Sequence, residues 1–188
     1  GYNGLLHGEC VELSCRDVSD IIQRGGTILY TARCLDFKEE EYILKAAEKC
    51  KSLNMEGLVV IGGDGSFRGA ADLSRLGNIR CIGLPGTNDN DIQCTEYTIG
   101  YDTAMNTAME MIDKLRDTSQ SHDRCSVVEV MGRNAGWIAL NVAIASGAIA
   151  CITPEMTYDM NAIAEKIKKA HEAQKEHFLD VFPEGVKL

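Results

Sequence analysis

Short apolar runs alternate with amphipathic stretches along nearly the whole chain, and the alternation predicts strand–helix repeats. Residues 36–53 read as a helix, with Asp36 as N-cap, Glu39 three residues on, and Ile43, Leu44 and Ala47 on one face. The run Gly-Leu-Val-Val-Ile at 57–61 predicts a strand, 66–76 a short helix, and 79–84 a second strand. From Tyr101 to about Arg116, residues Ala104, Ala108, Ile112 and Leu115 fall on one helical stripe. Strands are expected at 126–131 and 148–153, with a helix over 135–146 separating them. Met160, Ile163, Ile167 and Ala170 mark a further helix before a strand-like stretch at 177–182. This spacing implies an α/β fold, parallel sheets sandwiched by helices. No internal repeat or low-complexity linker interrupts it, and a domain boundary is placed near residues 96–101.

In such sheets ligands bind beyond the carboxyl ends of the strands, so polar motifs should follow apolar runs. Four do: residues 62–66, 85–91, 132–134 and 184–185. The first, Gly62-Gly63-Asp64-Gly65-Ser66, suits phosphate, because glycines let the backbone approach an anion and the amides opening the next helix, from Ser66 onward, point at it. Asp64 repels phosphate and fits there if a divalent cation such as Mg²⁺ lies between the charges. The alternative is a plain tight turn, which these residue types also favour. The second motif, Gly83-Leu84-Pro85-Gly86-Thr87-Asn88-Asp89-Asn90-Asp91, places two carboxylates at i and i+2 after a strand. Alone it reads as an Asn/Asp turn whose side chains bond their own backbone. Next to a phosphate loop at the same sheet edge it suits metal-assisted phosphoryl transfer.

Composition narrows the classes. A net charge of −9 on 188 residues argues against a general nucleic-acid or membrane-surface binder, which needs a basic face. No run reaches the ~18 apolar residues needed to span a bilayer. The eight cysteines are scattered, with no C-x-x-C pair, so buried free thiols in a reducing cytosol are expected rather than a metal cluster. His122, His171 and His177 lack ligand spacing, and Trp137 is expected to pack rather than to bind.

Five segments in register, VVIGGDGS, IGLPGTNDNDI, YTIGYDTAMNT, RDTSQSHDR and VVEVMGRNAGWIAL, make the chain resemble the ATP-dependent 6-phosphofructokinase family. The likeness runs from Gly1 to Glu184-Gly185. It implies a phosphofructokinase-like fold of two similar α/β domains with the active site between them: residues 1–100 on the nucleotide and Mg²⁺ side, 101–188 beginning the sugar-phosphate side. It implies transfer of a phosphoryl group from ATP to the 1-hydroxyl of fructose 6-phosphate, in a cytoplasmic homotetramer without nucleic-acid or membrane partners. Asp64 matches the Mg²⁺-linked aspartate, with Gly63, Gly65 and Ser66 around the nucleotide phosphates. Asp89 matches the catalytic base, Asp91 the second acidic group assisting the metal or the base, and Thr87 and Arg33 the groups near the transferred phosphoryl. Met131, Gly132, Arg133 and Glu184 match the sugar-phosphate side. Arg124 matches an arginine reaching a neighbouring subunit's site, and Arg116 one basic residue of an allosteric nucleotide site.

Glycine at positions 65 and 86 favours ATP over pyrophosphate, since pyrophosphate-using relatives carry Asp and Lys there. The pyrophosphate-dependent enzyme remains the nearest rival, and a lipid or NAD kinase a looser one, against which MGR and GTNDND argue. Departures from the pattern are Asn88, where Ile is usual, and Ile149, where a metal-binding Glu of the allosteric site is common. Asp180 and Pro183 are each expected to disturb a central strand. Against the family's length, the chain reads as an internal fragment without the opening strand and glycine loop and without the last third. A rival of another class is thus a truncated, non-catalytic nucleotide-binding piece, and the isolated chain is expected to be inactive or poorly folded.

Overall fold

The computed structural model describes residues 1–175 and 177–186. The chain packs as two compact units, Gly1–Leu84 and Pro85–Leu188. The division falls upstream of residue 100 because the 86–99 stretch is bonded into the second unit. There the Ile99 amide donates to the Pro85 carbonyl at 2.7 Å, and the Thr98 amide to Asn90 Oδ1 at 2.9 Å.

The first unit contains α1 (Tyr2–His7), a 3-10 turn (Asp36–Lys38), α2 (Glu40–Ser52), β1 (Leu58–Gly62) and α3 (Asp64–Gly77). It also holds nearly all of β2 (Cys81–Pro85), which pairs with β1. Ile43, Ala46, Ala47 and Cys50 recur at helical spacing and form the buried stripe of α2. Glu40 and Glu41 in its first turn and Lys49 and Lys51 in its last complement the helix dipole. The residue capping α2 is Glu39, not Asp36: Asp36 opens the separate 3-10 turn that seats Phe37 in the core. Leu73 of α3 is fully buried against that stripe, a site worth ~1.5–3 kcal/mol of apolar burial.

Helix α1 has too few residues to be stable alone. Tertiary contacts hold it: the Tyr2 ring stacks on Phe37 with centroids 4.0 Å apart, and its hydroxyl donates to the Ser66 carbonyl at 2.5 Å. Burial, with Cys81 nearby, pushes the Tyr2 phenol up to about 12.

The second unit runs α4 (Tyr101–Ser121), β3 (Cys125–Val130), α5 (Trp137–Ser146), β4 (Ala150–Cys151), α6 (Met160–Glu172) and β5 (Phe178–Pro183). Its sheet has the order β3-β5-β4 and is parallel, with Cys125 opposite Phe178, Val130 opposite Pro183, and Ala150 opposite Asp180. Helix α5 is apolar all round and is clamped against α4 and β5 in a core of Tyr101, Ile112, Val130, Ile138, Val142 and Val181. Gly147 ends it in the left-handed conformation (φ 66°).

Three expectations from the sequence do not hold. Asp180 and Pro183 do lie in a strand, and it is the central one. Pro183 is tolerated because it is the last residue of β5, and the ladder there continues through the Glu184 amide, which donates to the Val130 carbonyl at 3.0 Å. Asp180 is accommodated by a hydrogen bond from the Ala150 backbone and by the charge of Lys166. The cysteines are all free, as expected, but only Cys50 is buried; Cys10, Cys15, Cys94 and Cys125 are exposed. Trp137 is likewise half exposed rather than packed away.

Candidate functional site

The phosphate-loop residues lie in the first unit where β1 gives way to α3. The helix begins at Asp64, two residues earlier than its apolar pattern indicates, with Gly63 as an extended N-cap. A Cβ on Gly62 would stand 2.4 Å from Ser66 Oγ, so the turn closes only with glycine there. The space around the Cβ position of Gly65 is open, with no atom within 4 Å. The amides of the first turn of α3 therefore face outward beside an uncrowded backbone, an arrangement that receives anions.

Asp64 is half exposed and bonded by Arg68 Nε at 2.8 Å. Among the described residues no group of three or more His, Cys, Asp or Glu side chains could hold a metal. A single accessible carboxylate beside a phosphate loop nevertheless fits Mg²⁺, which commonly takes one or two carboxylates and completes its shell with phosphate and water. Arg33 is in the same unit, in the exposed segment before the 3-10 turn, where its carbonyl accepts from Asn3 Nδ2 at 3.4 Å.

The second unit brings four predicted charged residues together at the carboxyl edge of its sheet. The Asp89 amide donates to Thr87 Oγ1 at 3.2 Å, and Asn90 takes the left-handed conformation (φ 54°). Asn90 also anchors the loop by donating to the Glu96 carbonyl at 3.2 Å. Asn88 Nδ2 lies 3.1 Å from Met131 Sδ, which ties the Asp89 loop to the segment leaving β3. Arg133 and Glu184 follow β3 and β5, and both act on Asp89. Burial raises the Asp89 carboxyl most, Asp91 and Glu184 raise it further, and Arg133 pulls it down. A carboxylate so placed has higher proton affinity than an ordinary aspartate while a guanidinium keeps its charged form accessible.

Arg133 is held in an uncommon backbone conformation. Its φ is 50°, and Gly132 before it has φ 139°. A Cβ on Gly132 would meet the Ala135 carbonyl oxygen at 2.4 Å, and one on Gly185 would meet the Arg133 carbonyl oxygen at 1.7 Å. Met131 is exposed beside this turn.

The other two arginines lie elsewhere in the second unit. Arg124 immediately precedes β3 and its carbonyl accepts from the Phe178 amide at 3.2 Å, so it stands at the amino edge of the sheet. The six-residue β3 separates it from Arg133 by ~20 Å of strand. Arg116, on α4, donates to the Ser146 carbonyl and lines a 170 Å³ cavity together with Ser119, Ser126, Lys175 and His177. The sequence pattern marks neither Lys175 and His177 as neighbours of Arg116 nor Glu155 as the acceptor of the Gly136 amide, at 2.7 Å. Glu155 follows a strand as the other polar motifs do, and that position was its available signal.

A family model described as phosphofructokinase matches residues 1–188. The chain is 55% identical over 186 residues to an ATP-dependent 6-phosphofructokinase 1 of Clostridium perfringens, covering 99% of this chain and 58% of that protein. The figures are the same for an ATP-dependent 6-phosphofructokinase of Clostridium botulinum. The chain thus spans about 58% of the length of the curated relatives it matches. Among solved structures, phosphofructokinase from Saccharomyces cerevisiae aligns with a TM-score of 0.85 at 32% identity, covering 99% of this chain and 29% of that one. A pyrophosphate-dependent phosphofructokinase from Nitrosospira multiformis aligns less well, with a TM-score of 0.67 at 25% identity over 80% of this chain and 41% of that one.

Proposed function

The chain belongs to the phosphofructokinase family, and we propose on that premise that it is part of an ATP-dependent 6-phosphofructokinase. The parent protein transfers the γ-phosphoryl group of ATP to the 1-hydroxyl of fructose 6-phosphate, giving fructose 1,6-bisphosphate and ADP. The observation that carries this reading is the setting of Asp89, flanked by Asp91, Arg133 and Glu184 at the carboxyl edge of the sheet.

Asp89 takes the proton from the sugar hydroxyl as its oxygen bonds to the γ-phosphorus and the bond to the β,γ-bridging oxygen breaks. Asp91 keeps the proton affinity of Asp89 raised, and Thr87 sets the loop by accepting the Asp89 amide. Arg33 and Arg133 offer planar guanidinium groups to phosphoryl oxygens. Met131, Gly132, Arg133 and Glu184 bind the sugar phosphate, and Arg124, at the far edge of the sheet, serves a neighbouring subunit's site in a homotetramer.

Gly63, Gly65 and Ser66 receive the nucleotide phosphates at the N-terminus of α3. Asp64 is the residue that would hold Mg²⁺, which when bound neutralises phosphate charge. The first unit, up to Leu84, accordingly serves the donor, and the second unit, with Thr87, Asp89 and Asp91 near its start, the sugar phosphate. Arg116 with Lys175 and His177 forms the effector end, and Ile149, at the position matched to a metal-binding Glu, supplies no metal ligand. A cytoplasmic location accords with the eight free cysteines. Among the described residues no helix is long and apolar enough to cross a membrane.

ATP as donor is supported by the open space at Gly65 and by the 55% identity to ATP-dependent relatives. Steady-state assays of the full-length protein with each donor test the reading. The expected result is turnover with ATP at least about tenfold above that with pyrophosphate. Faster turnover with pyrophosphate overturns the choice of donor, and no turnover with either overturns the function.

A further inference from the structure

Arg133 sits on a turn that does not hold itself in place. Between the end of β3 at Val130 and the start of α5 at Trp137, the chain passes through two consecutive positive-φ residues, Gly132 and Arg133. The internal bond of the turn, from the Ala135 amide to the Gly132 carbonyl at 2.8 Å, closes only its first half. The next amide, that of Gly136, belongs to the cap residue of α5 and so has no partner within the helix. Gly136 is buried, and a buried amide without a partner is costly.

That amide is satisfied from outside the turn. Glu155, in the bend Thr153–Met156 that follows β4, accepts the Gly136 amide on Oε1 at 2.7 Å. The contact is close on both sides. A Cβ on Gly136 would lie 2.5 Å from Thr153 Cβ and 2.7 Å from Glu155 Oε2, so the glycine is seated against the β4 bend. A carboxylate here also meets the positive end of the α5 dipole. On the opposite flank Gly185, after β5, presses on the Arg133 carbonyl. The turn carrying Arg133 is therefore gripped by the segments leaving the other two strands of the sheet, β4 and β5.

We propose that Glu155 is a positioning residue for Arg133: its bond to the Gly136 amide fixes the 132–136 turn, and so the direction in which the guanidinium meets the sugar phosphate. Glu155 touches no substrate in this role. The inference rests on the phosphofructokinase reading above, which supplies the ligand of Arg133. Loss of the acceptor frees the turn at its α5 end and leaves the α3 phosphate loop intact, because no residue of that loop depends on it.

The test uses the full-length protein and the variants E155A and E155Q, with E155D in reserve. In E155A the KM for fructose 6-phosphate is expected to rise about tenfold, with the KM for ATP within about twofold of wild type. E155Q keeps an oxygen acceptor and is expected to stay within about threefold for both substrates. Amide exchange at Gly136, read without substrate, is expected to accelerate about tenfold in E155A and little in E155Q. If E155A does not fold, E155D, whose side chain is shorter, is expected to show the same selective rise in a smaller degree. An unchanged KM for fructose 6-phosphate in E155A or its substitute overturns the proposal, as does an equal rise for both substrates. Wild type without turnover overturns the functional reading instead, while the exchange measurement still reports on the Glu155 bond.

Discussion

Gly185 lies so close to Arg133 that a Cβ added to it would stand 1.7 Å from the Arg133 carbonyl oxygen. No side-chain rotation relieves that contact, because both sides of it are main chain. The residue after Glu184 is thus a spacer that lets the end of β5 touch the Arg133 turn.

Gly185→Ala should push the turn away from β5. The expected cost is about 1–3 kcal/mol of stability, the usual range for overpacking, together with a raised KM for fructose 6-phosphate. Chemical denaturation and steady-state kinetics of the full-length variant check both. A variant with wild-type values on each count would mean that the turn relaxes without consequence.

The carboxyl of Asp89 is raised above its usual 3.8, by burial first and then by Asp91, with Arg133 opposing. A base works only when deprotonated, so activity is lost as pH falls through this raised pKa, and the acidic limb of kcat/KM should lie above 3.8. Removing the like charge with Asp91→Asn lowers the pKa and moves the limb to lower pH. Removing the opposing charge with Arg133→Gln moves it to higher pH. Profiles of the two variants shifting in the same direction would contradict the electrostatic assignment.

Asp180 occupies the central strand with a buried Oδ1 that has no hydrogen-bond partner, and burial raises its carboxyl above 3.8. For a carboxyl raised by folding, the ionised form costs stability. The penalty is absent below the unfolded pKa, builds as pH rises, and is complete above the folded pKa. Asp180→Asn keeps an acceptor for the Ala150 amide and removes the charge. It should raise the midpoint of thermal unfolding by ~3 °C at neutral pH, a gain that vanishes below the unfolded pKa. Thermal scans across pH read this directly, and a gain that persists at low pH would assign it to packing rather than charge.

The strand–helix order and the four Gly/Asp/Asn motifs at strand ends are legible, because a parallel α/β unit writes its buried strands as apolar runs and its functional loops as Gly, Asp and Asn after them. What escaped was set by tertiary contact. Helix α1 carries no strong periodic signal and exists through the Tyr2–Phe37 stack. The start of α3 at Asp64 was hidden because Asp64 and Gly65 precede the apolar stripe while already adopting helical geometry. Pro183 and Asp180 read as strand breakers, yet a chain end in the ladder and a backbone donor accommodate them. The exposed cysteines show the limit of composition: spacing excludes a metal cluster but does not report burial. Beyond its place after a strand, Glu155 carries no legible signal, because a single glutamate after Pro154 gives no pattern until its backbone partner is known.

We propose Asp89 as the base of phosphoryl transfer. The direct measurement is kcat of the full-length Asp89→Asn variant, with ATP affinity determined on the same sample. Loss of about 10²–10⁴-fold in kcat with ATP affinity unchanged is the predicted result. Near-normal turnover in that variant would remove Asp89 from the chemistry and contradict its assignment as the proton acceptor.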